Sequence, residues 1–240
     1  MIGARKQVLK LTLGLLAVGT LVGGSVSALT PSLSARQAAQ AAVEGDTMFR
    51  ENGAYKWGSY LLKTYTEDIK LRVDSPEVDG VAIGTPYERV RYESFLASFQ
   101  DMALTPAQTN ALAATLKNKV TFLVYTHSPR GVDEEEEQWK QAYNSGAVKP
   151  AAAREHSYLD AYVPATLSIG GRVLRSQLQI DGPYRDQFTL PTGGAQFRFL
   201  GVVRYTFDLT GVPAANVATL TFKDSGGKVF TQKANLTQLR

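Results

Sequence analysis

Few side chains in this sequence could carry chemistry, and their identities narrow the choice before any fold is considered. The chain of 240 residues has two histidines, His127 and His156, and no cysteine. A histidine beside a hydroxyl or a carboxylate can serve as a general base, and His127 precedes Ser128 while His156 follows Glu155. Neither belongs to an H-E-x-x-H pair, and without thiolates there is neither cysteine-ligated zinc nor a thiol nucleophile. The acidic run Asp133 to Glu137 lacks the alternating pattern of a calcium loop, and consecutive carboxylates on a helix diverge around its axis. It reads as a helix start with a solvated face, its charges opposing the positive end of the dipole. With 22 Asp and Glu, carboxylate pairs are too frequent to identify a glycosidase from spacing. The sequence has neither a Walker A loop nor G-x-G-x-x-G, so no metal and no cofactor is expected.

Asp224-Ser225-Gly226-Gly227 resembles the nucleophile segment G-D-S-G-G of the chymotrypsin-like serine proteases. The resemblance implies a nucleophilic Ser225 with backbone amides beside it to hold an oxyanion. It covers four residues. Lys223 stands where the family has its first glycine, 15 residues follow Ser225, and neither histidine lies in that family's histidine motif. The same four residues make a hairpin loop in which either glycine supplies positive φ, and the loop is the reading taken forward. No catalytic residue is assigned, and His127 and Ser225 are the candidates to locate in the fold. The stretch from Phe197 to Tyr205 is similar to an aromatic RNA-binding strand, since rings beside guanidinium groups suit bases. A strand with rings inward and arginines outward explains the same residues.

The charge balance argues the same way. Arg5, Lys6 and Lys10 precede an apolar stretch from Leu11 to Val22, and Ser25-Val26-Ser27-Ala28 follows it, the layout of a secretory signal over residues 1–28. Of 26 Lys and Arg, three lie in that leader and no acid does, so the mature chain carries 23 against 22. Near-zero net charge gives no affinity for nucleic acid or anionic membrane. The uncharged run from Leu11 to Leu33 is long enough to span a bilayer, which makes an N-terminal anchor the alternative. Glycines and serines dilute its second half and no anchor closes it, so cleavage is favoured and no stable span is expected afterwards. Stability without disulfides must then come from packing.

The elements that must position any site follow from periodicity and punctuation. A helix is predicted from Leu33 to about Arg50, capped by Ser34 and stopped at Asn52-Gly53, as a spacer or peripheral brace in the segment 29–54. Ile69, Leu71 and Val73 alternate with charged residues as a half-buried strand. Thr85-Pro86-Tyr87-Glu88 and Thr105-Pro106-Ala107-Gln108 each offer a hydroxyl N-cap, a proline at the first helical position and a reciprocal Glu or Gln. The spacing predicts helices to about Met102 and Asn118, with Val90, Phe95, Leu96, Phe99, Leu112 and Leu116 inward, forming a hairpin laid on a sheet. Val120 to Tyr125 reads as a strand buried on both faces, and Pro150 opens a short helix carrying His156. Beyond Tyr162 the pattern is β: Ala165–Ile169 and Arg172–Ile180 around Gly170-Gly171, a turn at Asp181-Gly182-Pro183, a strand from Phe197 to Leu209, and a last hairpin around 224–227. Seven or eight strands at this spacing predict a mainly β fold, an antiparallel β-sandwich of immunoglobulin-like architecture over residues 55–240 with helical insertions at about 85–118 and 133–159.

Export, a rigid sheet scaffold and the missing catalytic motifs lead to an expected function. The chain reads as a non-catalytic binding or structural module of the bacterial cell envelope, periplasmic or extracellular, whose partner is an envelope component or an extracellular protein or polysaccharide. Trp57, Tyr60, Trp139 and Tyr143 are the expected binding aromatics. The alternative is an exported hydrolase of polysaccharide or peptide with a dispersed active site. Intact-mass measurement of the exported protein is expected to find Leu29 at its N-terminus, after the small residues Val26 and Ala28. A mass retaining Met1 or Ile2 in membrane-extracted protein favours the anchor instead.

Overall fold

The computed structural model describes residues 31–66, 71–72, 75–147 and 156–240. The expected leader, the strand residues Ile69 and Val73, and Pro150 lie outside them.

Helix α1 (Ala35–Asn52) starts where Ser34 accepts from the Gln37 amide while the Gln37 side chain accepts from Ser34, and Gly53 ends it at φ 63°. Helix α2 (Pro86–Phe99) is capped by Thr85, and α3 (Pro106–Thr115) by Thr105 with Gln108 completing the reciprocal pair. Both stop about three residues earlier than the apolar spacing suggests. Asp101 and Asn118 adopt left-handed backbone, at φ 55° and 57°, which ends a right-handed helix. Phe99, expected inward, is 65% exposed and makes a T-shaped contact with Phe49.

Helix α1 is no peripheral brace, because it is the main packing partner of α2. Its contact face is built of small residues, Ala38, Ala41 and Gly45, all buried. A Cβ on Gly45 would lie 2.1 Å from the Arg91 carbonyl oxygen, so the two backbones meet there. Ser94 Oγ donates to the Ala42 carbonyl at 2.6 Å and Ser98 Oγ to Asp46 at 2.7 Å, locking the crossing. With α3 the pair encloses a small core of Ala38, Ala41, Tyr87, Val90 and Ala113.

The strands are β1 (Leu61–Thr64), β2 (Val78–Gly84), β3 (Lys119–His127), β4 (Thr166–Ile169), β5 (Arg172–Arg175), β6 (Gln177–Thr189), β7 (Ala195–Asp208), β8 (Val217–Lys223) and β9 (Val229–Asn235). They form two antiparallel sheets, of order β1-β2-β3-β7-β6 and β5-β4-β8-β9. With α4 (Val132–Asn144) as the fourth α-helix, the described residues form a mixed helix and sheet protein rather than a mainly β one. The expected strand from Arg172 to Ile180 divides at Ser176, where the chain passes from one sheet to the other. There Ser176 donates its amide to the Ala165 carbonyl, and its hydroxyl accepts from the Ala165 amide at 2.9 Å. The expected turn at Asp181-Gly182-Pro183 is a register slip inside β6. Proline has no amide proton, and β6 is an edge strand, where a bulge accommodates it.

One apolar cluster joins the sheets, with Phe122, Val203, Tyr205 and Phe207 facing Leu167, Leu220, Phe222 and Phe230. Strand β3 is buried on both faces, as its sequence predicts. On the far face Ala82 and Leu123 are buried as well, and the Arg89 stem lies where a Cβ on Gly84 would be. Helix α4 covers the other end of β7, its Trp139 stacked on Phe199 at 5.8 Å. No helix among the described residues is long and apolar enough to cross a membrane.

Replacing Gly45 by Ala tests the helix crossing. Alanine favours an isolated helix by about 1 kcal/mol, yet here the added methyl meets a backbone oxygen, so urea unfolding is expected to show a net loss of roughly 1–3 kcal/mol. The exposed Val43→Ala serves as control, and an unchanged or raised midpoint for Gly45→Ala would contradict the close approach.

Candidate functional site

The two catalytic candidates both come to lie beside carboxylates at the start of β2. Asp79 and His127 pair across the β2–β3 edge, with His127 Nδ1 2.7 Å from Asp79 Oδ1. A carboxylate only accepts, so Nδ1 carries the proton in this contact. The His127 ring is 3% exposed and rests against Phe188, the centroids 5.3 Å apart.

Ser225 has a different partner. Its hydroxyl donates to Glu77 Oε2, and its amide donates to Glu77 Oε1 at 3.1 Å. Tyr162 donates its hydroxyl to the same Oε1 at 2.6 Å. The backbone amide that the protease resemblance assigns to an oxyanion therefore already holds a carboxylate. Around it the loop has hairpin geometry, with Gly227 at φ 85° and Asp224 accepting from the Lys228 amide at 2.8 Å. Burial raises Glu77 above the ordinary carboxylate range, partly offset by its bonds to Ser225 and Tyr162. The four-residue motif thus works as a clasp between the last hairpin and β2.

Two further glutamates do similar work, and sequence reasoning missed both roles. Glu135, read within a solvated acidic run, is 2% exposed. It accepts from Ser128 Oγ and from the Tyr158 amide at 2.7 Å, and burial raises its pKa. Its spacing was the available signal, since Val132, Glu135 and Trp139 share the buried stripe of α4. Glu88, read as a reciprocal cap, instead turns its carboxylate to the Tyr55 hydroxyl and to Arg91, 2.6 Å away. It is wholly buried, and burial pushes it up to about 7 even against the opposing pull of Arg91 and Tyr55. His156 is not on the expected helix. It precedes the short 3-10 turn Tyr158–Ala161 and contacts Asp160 at 2.6 Å.

The expected binding aromatics separate into two groups. Trp57 is half-buried in a ring cluster, stacked on Tyr92 at 5.6 Å and edge-on to Tyr55 and Tyr125. Tyr60 is buried, its ring under the Arg91 guanidinium at 5.1 Å. Trp57 and Tyr60 line one cleft of about 320 Å³ together with Glu44, Tyr87, Arg91 and Arg240. Trp139 and Tyr143 do not line it; Trp139 packs on Phe199, and Tyr143 lies tilted against His156 at 5.6 Å. Among the described residues no three His, Asp or Glu side chains are grouped to hold a metal ion.

Compared with protein-family profiles, with curated proteins and with solved structures, the chain matches none.

Glu88 supplies a test of the cleft's foundation. Its folded value lies above its ordinary one, so its stabilising contribution is complete below about 4.5 and is lost as pH rises through about 7. Lowering the pH from 8 to 5.5 should therefore relieve the cost of burying the charge, on the order of a few kcal/mol. In Glu88→Gln this contribution disappears, so its stability relative to the parent should rise with pH across that window. A difference independent of pH would refute a buried, titrating Glu88.

Proposed function

We propose that this chain is an exported, non-catalytic binding module of the bacterial cell envelope, a two-sheet sandwich of immunoglobulin-like kind whose helical layer carries the ligand cleft. The observation that carries this reading is the fate of Ser225. A nucleophile needs a free lone pair, a base to take its proton and an empty oxyanion site. Here both hydroxyl and amide are bound to Glu77, and no hydrogen bond joins Ser225 to His127 among the described residues. The cleft of about 320 Å³ offers what a binder uses, with aromatic walls from Trp57 and Tyr60 and guanidinium groups from Arg91 and Arg240. Such a site suits a polysaccharide partner, whose apolar ring faces pack on aromatic side chains while its hydroxyls meet polar ones.

An exported hydrolase is the second reading, and the Asp79–His127 pair is what favours it, since an acid that orients an imidazole is half of a catalytic triad. The two readings separate in one experiment on the protein beginning at Leu29. It should be retained by immobilised envelope polysaccharide, retention should survive Ser225→Ala, and a serine-reactive phosphonate should leave Ser225 unlabelled. A stoichiometric adduct at Ser225, or steady release of saccharide or peptide fragments that His127→Asn abolishes, would replace the binder with the hydrolase.

A further inference from the structure

The cleft has a chemical bias that its aromatic walls alone do not explain. Tyr87 is 3% exposed and is one of the residues lining the cleft; its hydroxyl is buried between Glu44 and Arg240 without a partner in full hydrogen-bond geometry among the described residues. Arg240 lies over the Tyr87 ring at 5.6 Å, and Glu44 flanks the same hydroxyl. Arg91, one turn along α2 from Tyr87, also lines the cleft, its guanidinium 5.3 and 5.1 Å from the ring centroids of Tyr55 and Tyr60. Its Nε bonds Glu88 and the Tyr55 hydroxyl, and its Nη2 bonds Glu88 and the Lys56 carbonyl. Among the described residues Nη1 has no hydrogen-bond partner, which leaves it for the cleft.

We propose that this cleft binds the oxyanion group of an acidic sugar, a carboxylate or a phosphate, through Arg91 Nη1, the Arg240 guanidinium and the Tyr87 hydroxyl. The proposal rests on the binding-module reading and names the ligand chemistry of that same site. Two of these residues, Tyr87 and Arg91, stand one turn apart on α2 and the third is Arg240, all lining one small volume, and guanidinium groups suit oxyanions by their paired N–H geometry. Arg91 is pre-oriented, because Glu88 and the two rings fix it before any ligand arrives, which lowers the ordering cost of binding. The Arg240 guanidinium meets Glu44 at 3.3 Å and the Tyr87 ring, and the Arg240 and Glu44 side chains are both substantially exposed. Solvent screens such a pair, so an incoming anion displaces Glu44 at little loss. A neutral sugar gains no comparable advantage, since it would leave the guanidinium charges matched as they are.

The test uses the protein from Leu29 and follows Trp57 fluorescence on titration with a glucuronate-containing tetrasaccharide, with glucose 6-phosphate and with neutral maltotetraose. Saturable binding of the first marks a carboxylate ligand and of the second a phosphate ligand; either supports the site, with the neutral sugar much weaker. Arg240→Ala and Tyr87→Phe should each weaken the acidic ligand roughly tenfold, the size of one lost charge-assisted hydrogen bond. Arg36→Ala, an exposed charge on α1, should leave it unchanged. Tyr87→Phe keeps the ring, and its melting curve checks that the fold is intact. Equal binding of maltotetraose, no binding of either acidic ligand, or acidic binding undiminished in both variants overturns the proposal. Retention on envelope polysaccharide that survives Arg240→Ala and Tyr87→Phe together would sink this site while leaving the binding-module reading in place.

Discussion

Carboxylates withdrawn from water must find donors, and three glutamates under that constraint fix how the irregular parts of this protein are held. Glu77 joins β2 to the last hairpin and to Tyr162. Glu135 joins α4 to Ser128 and to the turn at Tyr158. Glu88 joins α2 to Tyr55, and through Arg91 to the Lys56 carbonyl. Each ties a regular element to a loop or turn, Ser225 for Glu77, Ser128 and Tyr158 for Glu135, and Tyr55 for Glu88. In a chain without cysteine these contacts provide cross-links that disulfides cannot.

The physics of such contacts favours specificity over net stability. Desolvation opposes the charge, which is why all three acids are raised above their ordinary range. Most of the folding free energy must come from the apolar cluster between the sheets and from the smaller helical core. What the glutamates add is a large penalty for any arrangement that leaves them buried without donors. The Ser225 loop illustrates the difference, since Gly227 alone lets the hairpin turn, while Glu77 decides what the turn rests against.

Much of the local structure was legible because local chemistry dictates it. Ser34, Thr85 and Thr105 cap their helices, Gly170-Gly171 turns its hairpin with both residues at positive φ, and β3 is buried on both sides. What was not legible depended on partners distant in sequence. Small residues at Ala38, Ala41 and Gly45 look like mere helix propensity until α2 is placed against them. Glu88 satisfies a capping pattern by spacing, yet Tyr55, 33 residues away, outcompetes the backbone for its carboxylate. Pro183 signals a turn locally, but an edge strand with a register slip absorbs it. Of the four aromatics singled out, Trp57 and Tyr60 share a cleft because the segment between them is folded against α2, a placement that composition does not encode.

The cleft and the buried acid are therefore one construction. An arginine on a helix surface ordinarily samples many rotamers, and a site built from it would lose affinity to ordering. Glu88 removes that freedom by holding Nε and Nη2, while the rings of Tyr55 and Tyr60 restrict the guanidinium plane. The unfavourable burial that raises Glu88 is thus the cost of a fixed cation beside the cleft. Asp79 orients the His127 imidazole in the same way, but that ring is 3% exposed and rests against Phe188. Orientation is common to both pairs, and the open cleft beside Arg91 is what distinguishes them.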